Sequence, residues 1–346
     1  MSKKNLAIIV GGKSPEHEIS LISGYNIYKA ADKHIFECII VGIAKDGQWY
    51  LIPTDTFESN IIIGSKKEHE PIVLAPFSDQ PFLYQNKPQE KLKIDVIFPI
   101  AHGVNGEDGS LQGILKHLNK PFVGPDYLGS AMGMDKDITK KLAQHAGVPV
   151  VPSYTARFEE DIPYSEIIKE LGLPLFIKPV NMGSAVGVEK IESAEQLKEG
   201  LIRAFKLDPK VLIEKAIIGR ELETAVLGNS ILKITGMGEI VVENGFYTYE
   251  NKYENDKASV VIPAQNLSEK SVSIMQEMAL TTYKALELKG MSRVDFFYVS
   301  DEEVYLNEVN TLPGFTNISM FPKLFEYTGL TFTNLVTELV RLAEER

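Results

Sequence analysis

The chain opens on a continuous apolar run at 5–10, NLAIIV, which stops at Gly11-Gly12. An apolar run without alternation predicts a strand buried on both faces, as in a parallel sheet, feeding a tight turn. Ser14-Pro15-Glu16 comes next. It predicts a helix start, with Ser14 as cap, Pro15 at the first helical position and Glu16 where the helix dipole favours an anion. FECIIVGI at 36–43 and IDVIFPI at 94–100 predict two more strands, with helix-like segments between or beside them. The first part of the chain is therefore α/β. Glycine and proline gather around residue 124, and a helix ending at Gly147 follows. Beyond it PLFIKPV, GVEKI, VLIEKAI, ELETAVL and SRVDFFYV are short β-rich runs separated by turns. Longer helices are expected at about 268–289 and at the C-terminal end. No repeat, heptad or low-complexity tract interrupts this order.

With 346 residues the chain can build two or three domains, each with its own core. A net charge of −11 argues against a nucleic-acid partner, and any phosphate site must concentrate its lysines locally. The single cysteine, Cys38, leaves no intramolecular disulfide and no cysteine-built zinc site, and it suits a reducing cytoplasm. No apolar stretch has the length of a signal peptide core or a membrane span, so a cytoplasmic location without membrane partners is expected.

Several segments carry candidate chemistry. Gly12-Lys13-Ser14 resembles the end of a phosphate-binding P-loop, but the glycine required five residues earlier is Ala7. A tight turn before a capped helix accounts for the glycines; the functional alternative is that Glu16 projects from a strand's carboxyl end and receives a substrate ammonium. HGVNGEDG at 102–109 follows the strand IDVIFPI and forms a polar, glycine-rich loop at the same sheet edge, with Asp108 or Ser110 able to cap the next helix. Lys136 opens a helix after MGMD, and Lys178 closes the strand PLFIK. Lone lysines are ordinarily solvated, yet Lys178 sits on an apolar strand before Gly183-Ser184-Ala185-Val186-Gly187, whose small tip lets backbone N–H groups approach phosphate oxygens. Arg293 and Asp295 are two apart and share a strand face, as do Glu308 and Asn310. A turn at 300–303 folds these strands into a hairpin with Asp, Glu and Asn oxygens beside an arginine. Such hard ligands suit Mg²⁺ completed by nucleotide phosphates, and carboxylates left unpaired among apolar neighbours would be costly. Thr311-Leu312-Pro313-Gly314 then offers a backbone N–H as an oxyanion donor. The aromatic stretch 245–253 reads either as a lid with a positioned tyrosine and lysine or as plain core packing.

In this order the segments resemble the D-alanine–D-alanine ligases of the ATP-grasp superfamily. GGKSPEHEIS, HGVNGEDGSLQG, MDKD, FIKPVNMGSAVG, IEKAIIGRE, YENKY, SRVD and NEVNTLPGFT each match a family motif, over nearly the whole chain. The resemblance implies a three-domain ATP-grasp fold: an N-terminal Rossmann-like parallel-sheet domain (1–124), a central α+β domain (125–213), and a C-terminal domain with metal site and lid (214–346). It implies that Lys136 and Lys178 contact ATP phosphates. Glu214, Lys215, Ile217 and Glu221 would line the adenine and ribose pocket, and Ser184 would lie in the loop over the phosphates. Asp295, Glu308 and Asn310 would hold two Mg²⁺ ions, or Mn²⁺ in their place. Glu16 would take the first D-alanine's ammonium, with His102 near its carboxylate. Tyr253, with Lys252, would belong to the lid and reach towards Ser184 and Glu16. Arg293 and the Gly314 N–H would stabilise the tetrahedral oxyanion, and Ser319 and Met320 would meet the second carboxylate. The implied reaction joins two D-alanines through a D-alanyl phosphate, for peptidoglycan precursors, in a homodimer. A D-serine or D-lactate acceptor is the alternative; relatives that use D-lactate usually replace the lid tyrosine, so Tyr253 favours an amine. Two departures stand out: Ala185 replaces a second serine of the loop, and Asn317-Ile318-Ser319-Met320 replaces a Ser-His-Ser stretch.

Overall fold

The computed structural model describes residues 3–76, 78–242 and 258–346. Three sheets follow one another along the chain. The first is built on β1 (Lys4–Gly11), whose residues from Leu6 to Val10 are fully buried, as the unbroken apolar run requires. Each such large side chain contributes roughly 1.5–3 kcal/mol when removed from water. Helix α1 (His17–Ala30) leads to β2 (Phe36–Ile43), β3 (Trp49–Ile52), β4 (Glu70–Leu74), β5 (Phe82–Tyr84), β6 (Lys87–Leu92) and β7 (Val96–Pro99). The sheet runs β6-β5-β4-β3-β2-β1-β7. Only β2, β1 and β7 are parallel; β3 to β6 extend one edge as an antiparallel meander. The connections from β2 to β3, β4 to β5 and β5 to β6 are too short for the crossover that a parallel return needs. The expected Rossmann-like sheet is thus its parallel centre.

Helices α2 (Ser110–His117), α3 (Tyr127–Met134) and α4 (Lys136–His145) lead out of this unit. The helix expected to end at Gly147 is two helices broken at Asp135, which adopts an extended backbone and accepts the N–H of Ile138. Gly147 itself ends the second with φ 87°, a left-handed turn that glycine adopts without a Cβ penalty. The second sheet holds β8 (Ser153–Arg157), β9 (Leu175–Pro179), β10 (Glu189–Ile191) and β11 (Lys210–Lys215), with α5 (Tyr164–Leu171) and α6 (Ala194–Ala204) packed on it. Its last strand reaches Lys215, past the expected boundary at 214.

The third sheet contains β12 (Arg220–Gly228), β13 (Leu232–Ile234), β14 (Gly238–Val242), β15 (Ala258–Val261), β16 (Gly290–Ser300) and β17 (Glu303–Asn310), with α7 (Glu269–Ala285) between β15 and β16. Helices α8 (Met320–Tyr327) and α9 (Phe332–Glu344) close the chain. They return to the first sheet: Phe315, Phe321, Leu335 and Leu339 share one core with Leu6, Ile8 and Phe98. That shared core fixes the third sheet against the carboxyl ends of β1 and β7, where open α/β sheets place their ligands.

Candidate active site

A cavity of about 1050 Å³ lies where the three sheets meet, lined on one side by Glu16 and His102, on another by Lys136 and Lys178, and on a third by Asp295 and Glu308. Every candidate named from the sequence among the described residues lines it, including Lys215, Ile217, Glu221, Asn310, Gly314, Ser319 and Met320. Lys252 and Tyr253, and with them the expected lid, lie outside the described residues.

The turn after β1 brings the first-substrate end together. Ser14 was expected to cap α1, but the helix begins at His17 and no side chain caps it. The Ser14 hydroxyl instead donates to the backbone carbonyl of His102 (2.6 Å) and accepts the N–H of Glu16 (3.2 Å). The cap was lost because a backbone acceptor from the neighbouring strand's loop competes for the same hydroxyl. Ser14 thus ties the two loops predicted to share this edge. The ring of His102 meets the Ser23 hydroxyl at 3.2 Å, and Ser23 also accepts the N–H of Phe315. The Ser184 hydroxyl donates to Glu16 Oε1, joining the glycine-rich loop of the second sheet to the first. Two glycines make room: a Cβ at Gly103 or Gly183 would come within 2.6 or 2.9 Å of Glu16 Oε2.

Glu107 was read only as part of its loop. It lines the cavity, and its Oε1 accepts the N–H of Gly103 (3.0 Å). Burial, and after it repulsion from Glu16, lifts its carboxyl to about 8. Asp108 accepts the N–H of Ser110, as a capping residue should, although Gly109 holds the boundary position of α2.

The loop between β9 and β10 carries two consecutive non-glycine residues with positive φ, Ser184 at 51° and Ala185 at 56°. Left-handed backbone of this kind costs roughly 1–2 kcal/mol per residue and turns successive N–H groups towards one side. Lys136, at the start of α4, donates to the carbonyl of Met182 at the loop's edge (2.7 Å) and lies 3.8 Å from Glu308. Lys178 stands opposite Leu212 across β9 and β11, so Glu214 is its diagonal neighbour on the same face. The ammonium reaches Glu214 Oε2 at 2.7 Å. Lys140, one turn beyond Lys136 on α4, reaches Glu214 Oε1 at 2.7 Å. Burial would raise the Glu214 carboxyl, but the two ammonium groups more than offset it and hold it at about 2. Lys140 was missed: its spacing from Lys136 gives its side of the helix but not the Glu214 carboxylate it meets.

The third sheet lays its charges in two rows. Glu223, Asp295 and Glu308 face one another across β12, β16 and β17; two positions on, Ala225, Arg293 and Asn310 form the next row. Carboxylates directly opposed in a sheet repel. Arg293 counters them, donating to Asp295 Oδ1 and Oδ2 (2.8 and 2.7 Å) and lying 2.8 Å from Glu223. Burial disfavours its charge, yet Asp295 and Glu223 raise its pKa well above the usual value. Asn310 donates its amide to Asp295 Oδ2 (2.9 Å). Glu223 was missed, although ELET puts it on the face of Glu221 by simple alternation. A bulge also falls at Asn307, between the Asp295–Glu308 and Phe296–Leu306 pairs, and it lets the Asn307 oxygen accept from Lys178 (3.2 Å).

Among the described residues no group of three or more His, Cys, Asp or Glu is arranged to hold a metal by itself. Asp295, Glu308 and Asn310 nonetheless put hard oxygen donors on one face of the cavity, which is what an ion completed by phosphates and water needs. Finally, Gly314 packs so closely that a Cβ there would lie 2.7 Å from the Ser319 hydroxyl, which accepts the N–H of Thr316 (2.9 Å).

Two antiparallel sheets holding lysines and carboxylates over one cleft, beside a third sheet with a parallel centre, define an ATP-grasp architecture. The comparisons with known proteins narrow this. The family model "D-ala D-ala ligase N-terminus" matches residues 5–125 and "D-ala D-ala ligase C-terminus" matches 142–341. The D-alanine–D-alanine ligase of Proteus mirabilis is 46% identical over 353 residues, covering 100% of this chain and 96% of its own. D-alanine–D-alanine ligase A of Escherichia coli K12 is 44% identical over 354 residues, covering 100% and 97%. Among solved structures, the ligase from Coxiella burnetii superposes with a TM-score of 0.90 at 34% identity, over 100% of this chain and 95% of that one. The VanG D-Ala:D-Ser ligase from Enterococcus faecalis gives 0.86 at 37%, over 99% and 100%. The chain belongs to the D-alanine–D-alanine ligase family.

Proposed function

We propose that the protein joins two D-alanine molecules into D-alanyl-D-alanine at the expense of ATP, supplying peptidoglycan precursors. The observation that carries the reading is the single cavity that Glu16, the Lys136–Lys178 wall and the Asp295–Glu308 wall share. A carboxylate is a poor acyl donor. In this reading its oxygen attacks the γ-phosphorus of ATP, the bond to the ADP oxygen breaks, and a D-alanyl phosphate forms. The neutral amine of the second D-alanine then adds to the carbonyl carbon, loses a proton, and inorganic phosphate departs. Positioning and electrostatics do most of this work.

Glu16 holds the first ammonium, with His102 near the carboxylate. Lys136, Lys178 and the loop around Ser184 take the triphosphate, and Glu214, Lys215, Ile217 and Glu221 surround adenine and ribose. Arg293 and the Gly314 N–H receive the negative charge of the tetrahedral carbon's oxygen, while Ser319 and Met320 take the second carboxylate. Lys252 and Tyr253 are assigned to the lid on the family resemblance alone, with Tyr253 reaching Ser184 and Glu16. Asp295, Glu308 and Asn310 are proposed to hold two Mg²⁺ ions, or Mn²⁺, which supply charge neutralisation at the phosphates when bound. The proposed units are 1–124, 125–213 and 214–346, in a cytoplasmic homodimer. No helix among the described residues is long and apolar enough to cross a membrane.

D-Alanine is preferred over D-serine or D-lactate as acceptor because the relatives at 44–46% identity carry the D-alanine–D-alanine name. The test is phosphate release from Mg-ATP with D-alanine alone, then with D-serine or D-lactate added. Release with D-alanine alone is expected. Its absence overturns the assignment.

A further inference from the structure

We propose that Lys140 is a charge-setting residue of the nucleotide site, which keeps the phosphate end of the cleft positive by taking half of the Glu214 carboxylate away from Lys178. The inference rests on the reading of this cleft as the ATP site.

Lys140 is 4% exposed and Glu214 2%. Lys140 contacts Glu214 Oε1 and Lys178 contacts Oε2, both at 2.7 Å, so one carboxylate bridges two ammonium groups. The Lys140 contact is close but poorly aligned for a hydrogen bond, so it acts chiefly through charge. Two cations on one anion leave a single positive charge in excess at the buried root of the cleft. Lys178 lies at its lining, where its other hydrogen-bond partner is the neutral Asn307 and the Glu308 and Glu221 carboxylates act on it from further off. The nearby Glu308 carboxylate has Lys136 at 3.8 Å. Without Lys140, Glu214 would pair with Lys178 alone and cancel it. An anionic ligand would then meet a neutral pair where the native protein offers a cation, in a site where charge is weakly screened. An ammonium buried this deeply and kept from water is costly unless it serves a charge balance of this kind.

A charge effect shows itself where a merely structural role does not. The effect must scale with the ligand's phosphates, not with its nucleoside. The quantity to measure is the ratio of the adenosine Kd to the ADP Kd, by calorimetry on the full chain with magnesium present. Contacts to the nucleoside cancel in that ratio. In Lys140→Met, of similar length and without charge, the ratio is expected to fall about tenfold, with adenosine binding nearly unchanged. In Lys140→Met/Glu214→Gln the buried root again carries one positive charge, from Lys178, and the ratio is expected to return to within about threefold of the wild-type value. The double variant also keeps the question open to test if the single variant does not fold. A Lys140→Met protein with an unchanged ratio, or a double variant whose ratio stays low, overturns the proposal. A wild-type protein that holds ADP no more tightly than adenosine overturns instead the nucleotide reading beneath it.

Discussion

Arg293 grips Asp295 through two parallel hydrogen bonds, Nε to Oδ1 at 2.8 Å and Nη2 to Oδ2 at 2.7 Å, because the two residues stand on the same face of β16 two positions apart. The fork fixes the guanidinium plane, and a point charge cannot reproduce it. Arg293→Lys is therefore expected to lower kcat by roughly 10²–10³-fold while the KM for ATP changes little. Steady-state phosphate release at saturating D-alanine measures this. An equal loss in ATP affinity would assign Arg293 to the nucleotide instead.

Glu308 faces Asp295 across the β16–β17 hairpin and has Lys136 at 3.8 Å. Glu308→Gln keeps the shape and removes the charge. Turnover is expected to vanish and thermal stability to be retained, as the proposed metal role requires. Chelation of divalent metal should silence the wild type to the same degree. Near-normal activity of the variant would remove Glu308 from the metal site.

Glu16 receives the Ser184 hydroxyl on one oxygen and leaves its charge to the cavity. Glu16→Gln preserves an acceptor for Ser184 but not the charge. The KM for D-alanine at the first position is expected to rise about tenfold or more, the worth of a hydrogen bond to a charged group, with the KM for ATP altered much less. Both constants come from initial rates at varied D-alanine. A D-alanine KM that does not move would separate Glu16 from the substrate.

Glu107 gives the molecule a pH dependence of predictable sign. Burial, with Glu16 beside it, raises its carboxyl from the usual 4.5 to about 8. The folded protein therefore holds this proton more tightly than the unfolded chain. The resulting stabilisation is complete below about pH 4.5 and is lost as pH rises through about 8. Glu107→Gln removes this contribution. Its melting temperature relative to wild type, without nucleotide, is expected to climb from about pH 5 to about pH 8 and then level off. A difference independent of pH would place the raised carboxyl elsewhere.

Much of this was legible in the chain. Alternation put Arg293 with Asp295 and Glu308 with Asn310, and β16 pairs with β17 as that pattern required. The unbroken run at Leu6–Val10 is the buried centre of its sheet. What could not be read is what depends on a third group. Ser14 looked like a cap because its competitor, the His102 carbonyl, lies 88 residues away. The bulge at Asn307 leaves no mark in VYLNEVN, since nothing in the strand's own residues says which of them will be squeezed out of register. Lys140 was legible only in hindsight of Glu214, because helical spacing from Lys136 says which way a side chain leans and not what waits there.

In the proposed reading, the Ser184–Glu16 hydrogen bond joins the loop over the nucleotide to the residue that receives the first amino acid. Any coupling that runs through this bond is reciprocal: whatever free energy ATP adds to D-alanine's hold, D-alanine must add to ATP's. Mutually reinforced loading in that reading needs no messenger between distant sites, because one hydroxyl belongs to both.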